Sequence, residues 1–600
     1  MHNVTAGIVS FLAALHTSRN TGPTVSPCRC YKQSPLDACW PTITDWSAFN
    51  HSVNGKLFKN EPPAEACYAG PKFDLQICSA LEVDLTNDTF IADQAVALDF
   101  PIDLSCPAIP PGPDQPAQCT LGDAPVYTIN ATEAADVIAG VKFANERNLR
   151  LVVRNIGHDL LGRSTGFGAL QIWIRFLQTG ISFSNRYQAT DGCSQSNWTG
   201  ASITIGGGYV WSDVYEVAQQ NNVIVVGAGT PTVGVIGGWI QGGGHSPASR
   251  DFGVGADQIL EAQVVLADGK QVTASACQNS DLYSAIRGGG GGTFGILLSA
   301  TVKVYPNVPV AGQTLAFAPL SDTDIPDFMT ALADIYAAYP DLDDGGFSGY
   351  GSWGVQSAAP IFGSFVTGYA HAMAVLDKNV NDMQSVFEPV KDAIAKFHGT
   401  SLVINIQYFQ FSDFWQYYHT LSGVTTPVGG TNAGLLASWL LDRKALTDDR
   451  SKLSKMLNIT AGSQGQFTST AIALVSGGAV FDNAKDPHTL LNPAWRKSYL
   501  HNIASRGWAF GTDAATIKSI EDDIIFTKQG AMKDLAPDTG SYMNEADRLD
   551  PTFLEDFYGA SLSKLQSIKA KYDPDSLFYC PTCIGSNEWV VEPTGRLCRK

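Results

Sequence analysis

Three stretches of this chain hold residues whose types and spacing could do chemistry on a ligand. The first, Leu151 to Gly166, reads L-V-V-R-N-I-G-H-D-L-L-G-R-S-T-G, a short apolar run opening into a loop with glycines, one histidine and several small polar side chains. Such a loop can turn backbone N–H groups toward a phosphate. An ordinary surface turn around His158 uses the same residue types, so the wider setting decides between the two. The second stretch, Gly227 to Ser246, reads G-A-G-T-P-T-V-G-V-I-G-G-W-I-Q-G-G-G-H-S, and the third is the run of five glycines from Gly288 to Gly292. A flexible linker lacks flanking strands, whereas these glycines sit among Val, Ile, Trp and Phe inside regular text. Close approach of backbone to a large flat or phosphorylated ligand needs residues without side chains, and the passages therefore read as a cofactor cradle. Their spacing is not the G-x-G-x-x-G fingerprint between a strand and a helix, which argues against a nicotinamide site. Cys580 and Cys583 form a C-x-x-C pair. With no thioredoxin-like setting, a structural disulfide or partners elsewhere fits better than a redox dithiol.

The elements that must position these residues are legible around them. Val126 to Ile129 reads as a strand, Thr132 as an N-cap, and Ala134, Val137, Ile138, Val141 and Ala144 recur at helical spacing up to Asn148. Leu151 to Val153 is then the second strand of a strand-helix-strand unit, and the loop that leaves its C-terminal end is where ligands of α/β units bind. Trp211, Val214, Tyr215 and Ala218 mark another amphipathic helix and Val223 to Val226 another buried strand. Ile259 to Ala267 and Gln271 to Ala276 read as a hairpin turned at Asp268 and Gly269. A helix from Asp281 to Arg287 runs into the five glycines, and a strand follows from Gly295 to Tyr305. From Pro306 to about Gly540 the text is mixed and aromatic; Tyr408, Phe409, Phe411, Phe414, Tyr417 and Tyr418 are read as core in preference to substrate wall. A helix is expected from Phe553 to Ala570.

With 600 residues the chain exceeds one core. Its 57 acidic against 39 basic residues give a net charge of −18, which argues against nucleic acid or an anionic membrane as partner, because both need a basic face. Gly7 to Leu15 has the length of a signal h-region, although no Lys or Arg precedes it, so residues 1–25 are read as a signal peptide cut between Ala14 and Ser26. No other stretch is long and apolar enough to span a bilayer. Of 12 cysteines, Cys28, Cys30, Cys39, Cys67, Cys78, Cys106 and Cys119 cluster near the N-terminus without zinc-ligand spacing. Disulfides in an oxidising compartment are the reading. N-x-[ST] sequons begin at Asn3, Asn50, Asn87, Asn130, Asn197 and Asn458, and we take Asn50, Asn87, Asn130, Asn197 and Asn458 as glycosylation sites. Residues 26–120 read as an irregular cap ending in a proline-rich connector, with no chemistry of its own.

The combination of R-N-I-G-H-D-L-L-G-R-S-T-G, P-T-V-G-V-I-G-G-W-I-Q-G-G-G-H-S, L-Y-S-A-I-R-G-G-G-G-G-T-F-G-I, Y-M-N-E-A-D and D-P-D-S-L-F-Y resembles the oxygen-dependent FAD-linked oxidoreductases of the vanillyl-alcohol-oxidase and berberine-bridge-enzyme type. The look is that of secreted fungal members such as isoamyl-alcohol-oxidase-like proteins. The resemblance implies an α+β fold: a two-part FAD-binding domain of the PCMH type over residues 121–306, an α/β substrate domain with a large antiparallel sheet over 307–540, and a C-terminal segment, 541–600, completing the flavin site. It implies one covalent link from His158 to the flavin, since the place of a second, cysteinyl link is Thr230. By position, Arg154, Asn155, Ile156, Gly157, His158, Asp159 and Ser164 would wrap the pyrophosphate and flavin. Thr232, Gly234, Gly237, Gly238, Gly243, Gly244, His245 and Ser246 would pass along the isoalloxazine and ribityl chain, and Gly295 and Ile296 would reach the adenine end. Tyr542, with Asn544 of the same Y-x-N element, would be the catalytic tyrosine that takes the substrate hydroxyl proton, provided a neighbour lowers its pKa.

The function implied is a secreted, glycosylated and monomeric FAD oxidase that moves a hydride from an alcohol or activated C–H of a small molecule, including fungal secondary metabolites, to FAD, with molecular oxygen as acceptor and hydrogen peroxide as product. No metal is called for. The alternatives are a carbohydrate oxidase on the same fold and a flavin-binding secreted protein with little turnover.

Overall fold

The computed structural model describes residues 32–98, 105–109, 111–112, 115–116, 118–196, 198–358, 366–422, 433–509 and 511–600. The signal reading, Cys28, Cys30, Asn3 and Asn197 lie outside them.

The alternation of apolar runs and amphipathic helices between residues 57 and 306 builds two sheets. In the first, the strands run in the order Leu57–Lys59, Tyr127–Asn130, Leu170–Trp173, Leu151–Arg154. The last three are parallel, with Val153 opposite Ile172 and Ile172 opposite Ile129. The helix Ala134–Glu146 covers this sheet through Val137, Val141 and Ala144. Its start is one residue later than the sequence indicates. Glu133 is the N-cap, and Asp136 accepts from the backbone N–H of both Thr132 and Glu133. The strand Leu170–Trp173 slips between the two predicted neighbours; all four of its residues are buried, so no polar alternation announces it.

The second sheet is antiparallel, in the order Ile181–Ser184, Ser202–Gly206, Ile296–Pro306, Ile259–Val265, Gln271–Ser275, and Val223–Val225 pairs with the far end of Ile296–Pro306. The helix Trp211–Gln220 packs on it with the four residues expected from periodicity, Trp211, Val214, Tyr215 and Ala218. The hairpin turns at Gly269, whose φ of 77° suits a residue without a Cβ.

A seven-stranded antiparallel sheet follows, in the order Leu402–Phe411, Val310–Pro319, Gly368–Leu376, Ser348–Gly354, Thr468–Leu474, Ser498–Trp508, Ala433–Asp442. Helices Ile325–Asp344, Val380–Ala395 and Arg450–Ala461 bury Tyr336, Phe387 and Leu453 against it. Phe411, Phe414, Tyr417 and Tyr418 are buried, and they pack into the core of the second sheet. Trp415 donates to Val223 O at 3.0 Å and Tyr418 to Gly229 O at 3.0 Å, fastening the segment that follows Leu402–Phe411 to the second sheet and to the second glycine passage.

The C-terminal segment returns to the first two sheets. Its helix breaks at Gly559, where φ is 49°, into Phe553–Tyr558 and Leu562–Tyr572 instead of running unbroken to Ala570. Disulfides join Cys67 to Cys78, Cys106 to Cys119, Cys193 to Cys277 and Cys580 to Cys583, so the two cysteines of the C-x-x-C pair bond to each other and not to partners elsewhere. No helix among the described residues is long and apolar enough to cross a membrane.

Candidate active site

The parallel strand Leu151–Arg154 ends in the His158 loop, and one carboxylate shapes that loop. Asp159 Oδ1 accepts the N–H groups of Leu161 and Arg163 at 3.1 Å each, and Oδ2 accepts the Ser164 N–H at 2.7 Å and its hydroxyl at 2.6 Å. Asp159 and Ser164 thus serve the loop's own turn. Gly157, at φ 99°, passes so near the Arg154 guanidinium and Ala97 O that a side chain there would collide with both. Ile156 packs with Ala92 and Val210, and Arg154 Nη2 donates to Ile91 O at 3.2 Å. The segment around residues 88–97 is consequently laid directly over the loop. His158 is partly buried; its Nε2 meets Thr232 Oγ1 at 2.9 Å, and Thr232 donates to Asp88 Oδ2 at 3.0 Å.

The glycine passages meet backbone to backbone. A Cβ on Gly291 would run into Gly237 O and come within 2.9 Å of Gly238 Cα, so the two loops close only because Gly291 lacks a side chain. Gln241 ties them together. Its Nε2 donates to Ile236 O at 2.9 Å and Gly237 O at 2.6 Å, while its backbone carbonyl accepts from Gly288 and Gly290. Gly238 is exposed, and a Cβ there would touch nothing within 4 Å, so this edge faces open space.

Across that edge stands the Y-M-N-E-A-D segment. Tyr542 is 1% exposed, and its oxygen accepts from Gly244 N–H at 3.1 Å and Asn544 Nδ2 at 2.9 Å. Arg163 donates to Asn544 Oδ1 at 3.3 Å and to Thr582 Oγ1, tying the His158 loop to both C-terminal motifs. His245 Nδ1 lies 2.9 Å from Tyr350 Oη, and its Nε2 lies 3.2 Å from each oxygen of Glu545. His501 Nδ1 is 3.5 Å from Glu545 Oε2. Burial pushes His501 down to about 3, so its ring is neutral at ordinary pH. Burial opposes ionisation of Glu545 too, but the field and hydrogen bond of His245, with help from His501, hold its pKa below the usual glutamate value. Tyr542 is moved the other way. Burial first and Glu545 second raise its pKa, against the two hydrogen bonds it accepts and the positive charge of Arg163. The neighbours that lower the pKa of a tyrosine base, Asn544, Gly244 and Arg163, are outweighed here by burial and by the Glu545 carboxylate.

A family model described as FAD binding domain matches residues 125–275, and one described as berberine and berberine like matches residues 541–585. The chain is 42% identical to the FAD-linked oxidoreductase hmp9 of Hypomyces subiculosus over 586 residues, 97% of this chain and 92% of hmp9. The chain belongs to the FAD-linked oxidoreductases of the vanillyl-alcohol-oxidase and berberine type. It is 33% identical to the VAO-type flavoprotein oxidase VAO615 of Thermothelomyces thermophilus, covering 99% of this chain and 100% of that one. The crystal structure of the VAO-type flavoprotein MtVAO713 from Myceliophthora thermophila C1 superposes with a TM-score of 0.92 at 39% identity, covering 95% of this chain and 100% of that chain.

The residues of this FAD-linked oxidoreductase fit a flavin nucleotide. Both polar atoms of the Asn155 side chain are buried without a hydrogen-bond partner among the described residues, beside Gly234 and Gly237 and facing the cradle. The loops of Arg154 to His158, Thr232 to Gly238 and Gly243 to His245 converge with Tyr542 and Asn544. The Ser246 hydroxyl accepts from Ala248 N–H and its own N–H donates to Ser249 Oγ, Gly295 packs on Val264, and the Ile296 side chain lies in the core of the first sheet. Sequence reading missed Asp88, Arg163, Gln241, Tyr350, His501 and Glu545. Each acts through a partner at least 44 residues away except Gln241, and no local pattern marks such pairs.

Proposed function

We propose that this FAD-linked oxidoreductase is an oxidase of alcohols or similarly activated C–H groups of small molecules, with its flavin linked to His158. When bound, FAD supplies the hydride acceptor and returns the electrons to dioxygen as hydrogen peroxide. The observation that carries the reading is the meeting of the His158 loop, the paired glycine loops and the Tyr542, His245 and Glu545 cluster around the open edge at Gly238. Tyr542 faces the substrate oxygen as a hydrogen-bond donor, in place of the expected role of taking the hydroxyl proton. Its oxygen accepts two hydrogen bonds and, among the described residues, donates none, so its own hydrogen is available to a substrate oxygen. Held protonated by burial, it is a poor proton acceptor. Glu545, ionised and bonded to His245, is the acceptor we assign for the hydroxyl proton.

Disulfides support an oxidising compartment and hence secretion. Of the sequons, Asn87 and Asn458 are exposed and suited to glycosylation. Asn50 accepts from Leu57 N–H and Asn130 sits in a sheet strand, which makes both half-buried.

Hydrogen peroxide release, screened aerobically with primary and secondary alcohols and with oligosaccharides, tests the reading. Turnover confined to alcohols supports it. Turnover confined to oligosaccharides moves the chain to the carbohydrate oxidases, and slow reduction by every donor leaves a flavin-binding protein with little turnover.

A further inference from the structure

His158 sits at the end of a chain of polar groups drawn from three segments far apart in sequence. Thr232 Oγ1 donates its single hydrogen to Asp88 Oδ2 at 3.0 Å. The 2.9 Å bond between that oxygen and His158 Nε2 must then run from Nε2–H to the hydroxyl. His158 is held in the Nε2–H tautomer, which puts the ring lone pair on Nδ1. The Asp88 carboxylate stands 3.8 Å from Nε2, near enough to balance positive charge on the ring. Its position is built. Asp88 opens the helix Asp88–Ala92, capped by Asn87, and this helix is clamped to the His158 loop by Arg154 at Ile91 O and by the packing of Ile156 on Ala92. Arg175 adds an ion pair to Asp93 at 3.0 Å and Gln171 a hydrogen bond to Ala95 O at 2.7 Å.

We propose that Asp88 and Thr232 are positioning residues for flavin attachment, which present His158 Nδ1 as the nucleophile toward the ring methyl of FAD. This rests on the covalent link at His158 proposed above. In the attachment step one C–H bond of the methyl breaks and its proton leaves to solvent. Nδ1 forms the new N–C bond with its lone pair, and the two electrons released pass to the flavin ring, from which dioxygen takes them, with two protons, as hydrogen peroxide. The imidazole gains a positive charge as the bond forms. Asp88, acting through Thr232 and across 3.8 Å, offsets that charge. The cap that carries Asp88 thus takes part in building the cofactor site.

The test uses D88N, T232V and the rescue variant D88E beside the wild-type protein, each purified with its bound flavin. Flavin is partitioned between acid pellet and supernatant at once and during incubation in air, and the protein band is read for flavin fluorescence in a denaturing gel. We expect wild type and D88E to keep flavin in the pellet. D88N and T232V should carry flavin through gel filtration but release most of it on acidification, with attachment roughly ten- to hundredfold slower, the scale of a lost hydrogen bond to a charged group. A cap that merely stabilised its own helix would leave this partition unchanged. Attachment in both D88N and T232V at the wild-type rate overturns the relay while the link at His158 stands. Release of flavin from the wild type removes the link and the relay together. If D88N does not hold flavin, T232V, which leaves the helix and its cap in place, decides the question.

Discussion

At the scale of single residues, the site divides its work among side chains that the sequence shows and side chains that it hides. His158 and Tyr542 are visible because they lie in glycine-rich or motif-like text. Glu545 lies in the same motif as Tyr542, but its meaning depends on His245, 300 residues away, and on His501. The sign of the electrostatics decides the roles. A buried phenol beside a carboxylate stays protonated, whereas a carboxylate hydrogen-bonded to His245 stays ionised. We therefore expect E545Q to slow flavin reduction by about 10²- to 10⁴-fold with the donor found in the peroxide screen, the range of a lost general base. Y542F should raise KM and slow reduction by about tenfold or more, while costing about 1–3 kcal/mol of stability, because the Gly244 N–H and the Asn544 amide lose a buried acceptor. Stopped-flow reduction and thermal unfolding read the two effects separately. Equal losses in both variants would return the proton to Tyr542.

At the scale of elements, what the sequence shows depends on how local the cause is. The helix Trp211–Gln220 follows from four residues at helical spacing, and the hairpin at Gly269 from a two-residue signal. The strand Leu170–Trp173 escapes because it is four residues long and buried on both faces. The C-terminal helix breaks where Gly559 takes a left-handed φ beside Asn492, a contact only the fold supplies. The cap looks free of chemistry because Thr232, the partner of Asp88, lies 144 residues on. The glycine passages are legible as a cradle, yet not the reason for all of their glycines: Gly291 makes room for the backbone of Gly237 and Gly238 as much as for a ligand. G291A should accordingly force the loops apart. We expect a folded protein with a lower melting temperature and a flavin-to-protein absorbance ratio below half that of wild type. A normal ratio would show that the loops yield without cost.

At the scale of the whole molecule, two flavin-side sheets and a seven-stranded sheet are joined through buried aromatic hydrogen bonds and a C-terminal segment that touches all of them. That segment contains a group which ties stability to pH. Burial, more than any other cause, raises the Asp547 carboxyl from 3.8 to about 7. Below 3.8 it is protonated folded or unfolded and contributes no pH dependence. Between those values the unfolded chain has lost the proton that the folded chain keeps, so stability falls as pH rises and the loss is complete above about 7. One oxygen of Asp547 accepts Leu549 N–H at 2.8 Å, a bond that asparagine preserves, and the other is buried without a partner among the described residues. D547N should match the wild type at pH 4 and exceed it at pH 8, by on the order of a few kcal/mol at most. Melting curves at the two pH values check this, and an equal shift at both would contradict it.

The covalent link proposed at His158 is central, since the cradle, the cap and the proposed oxidase chemistry all converge on that one ring. Trypsin cleaves after Arg154 and Arg163, isolating Asn155 to Arg163 with His158 as its one histidine. Mass spectrometry of that peptide from the purified yellow protein is the most direct test. A link at His158 gives a peptide heavier by the mass of the flavin, with fragments that place the addition on His158. An unmodified peptide from protein that still holds flavin would contradict it.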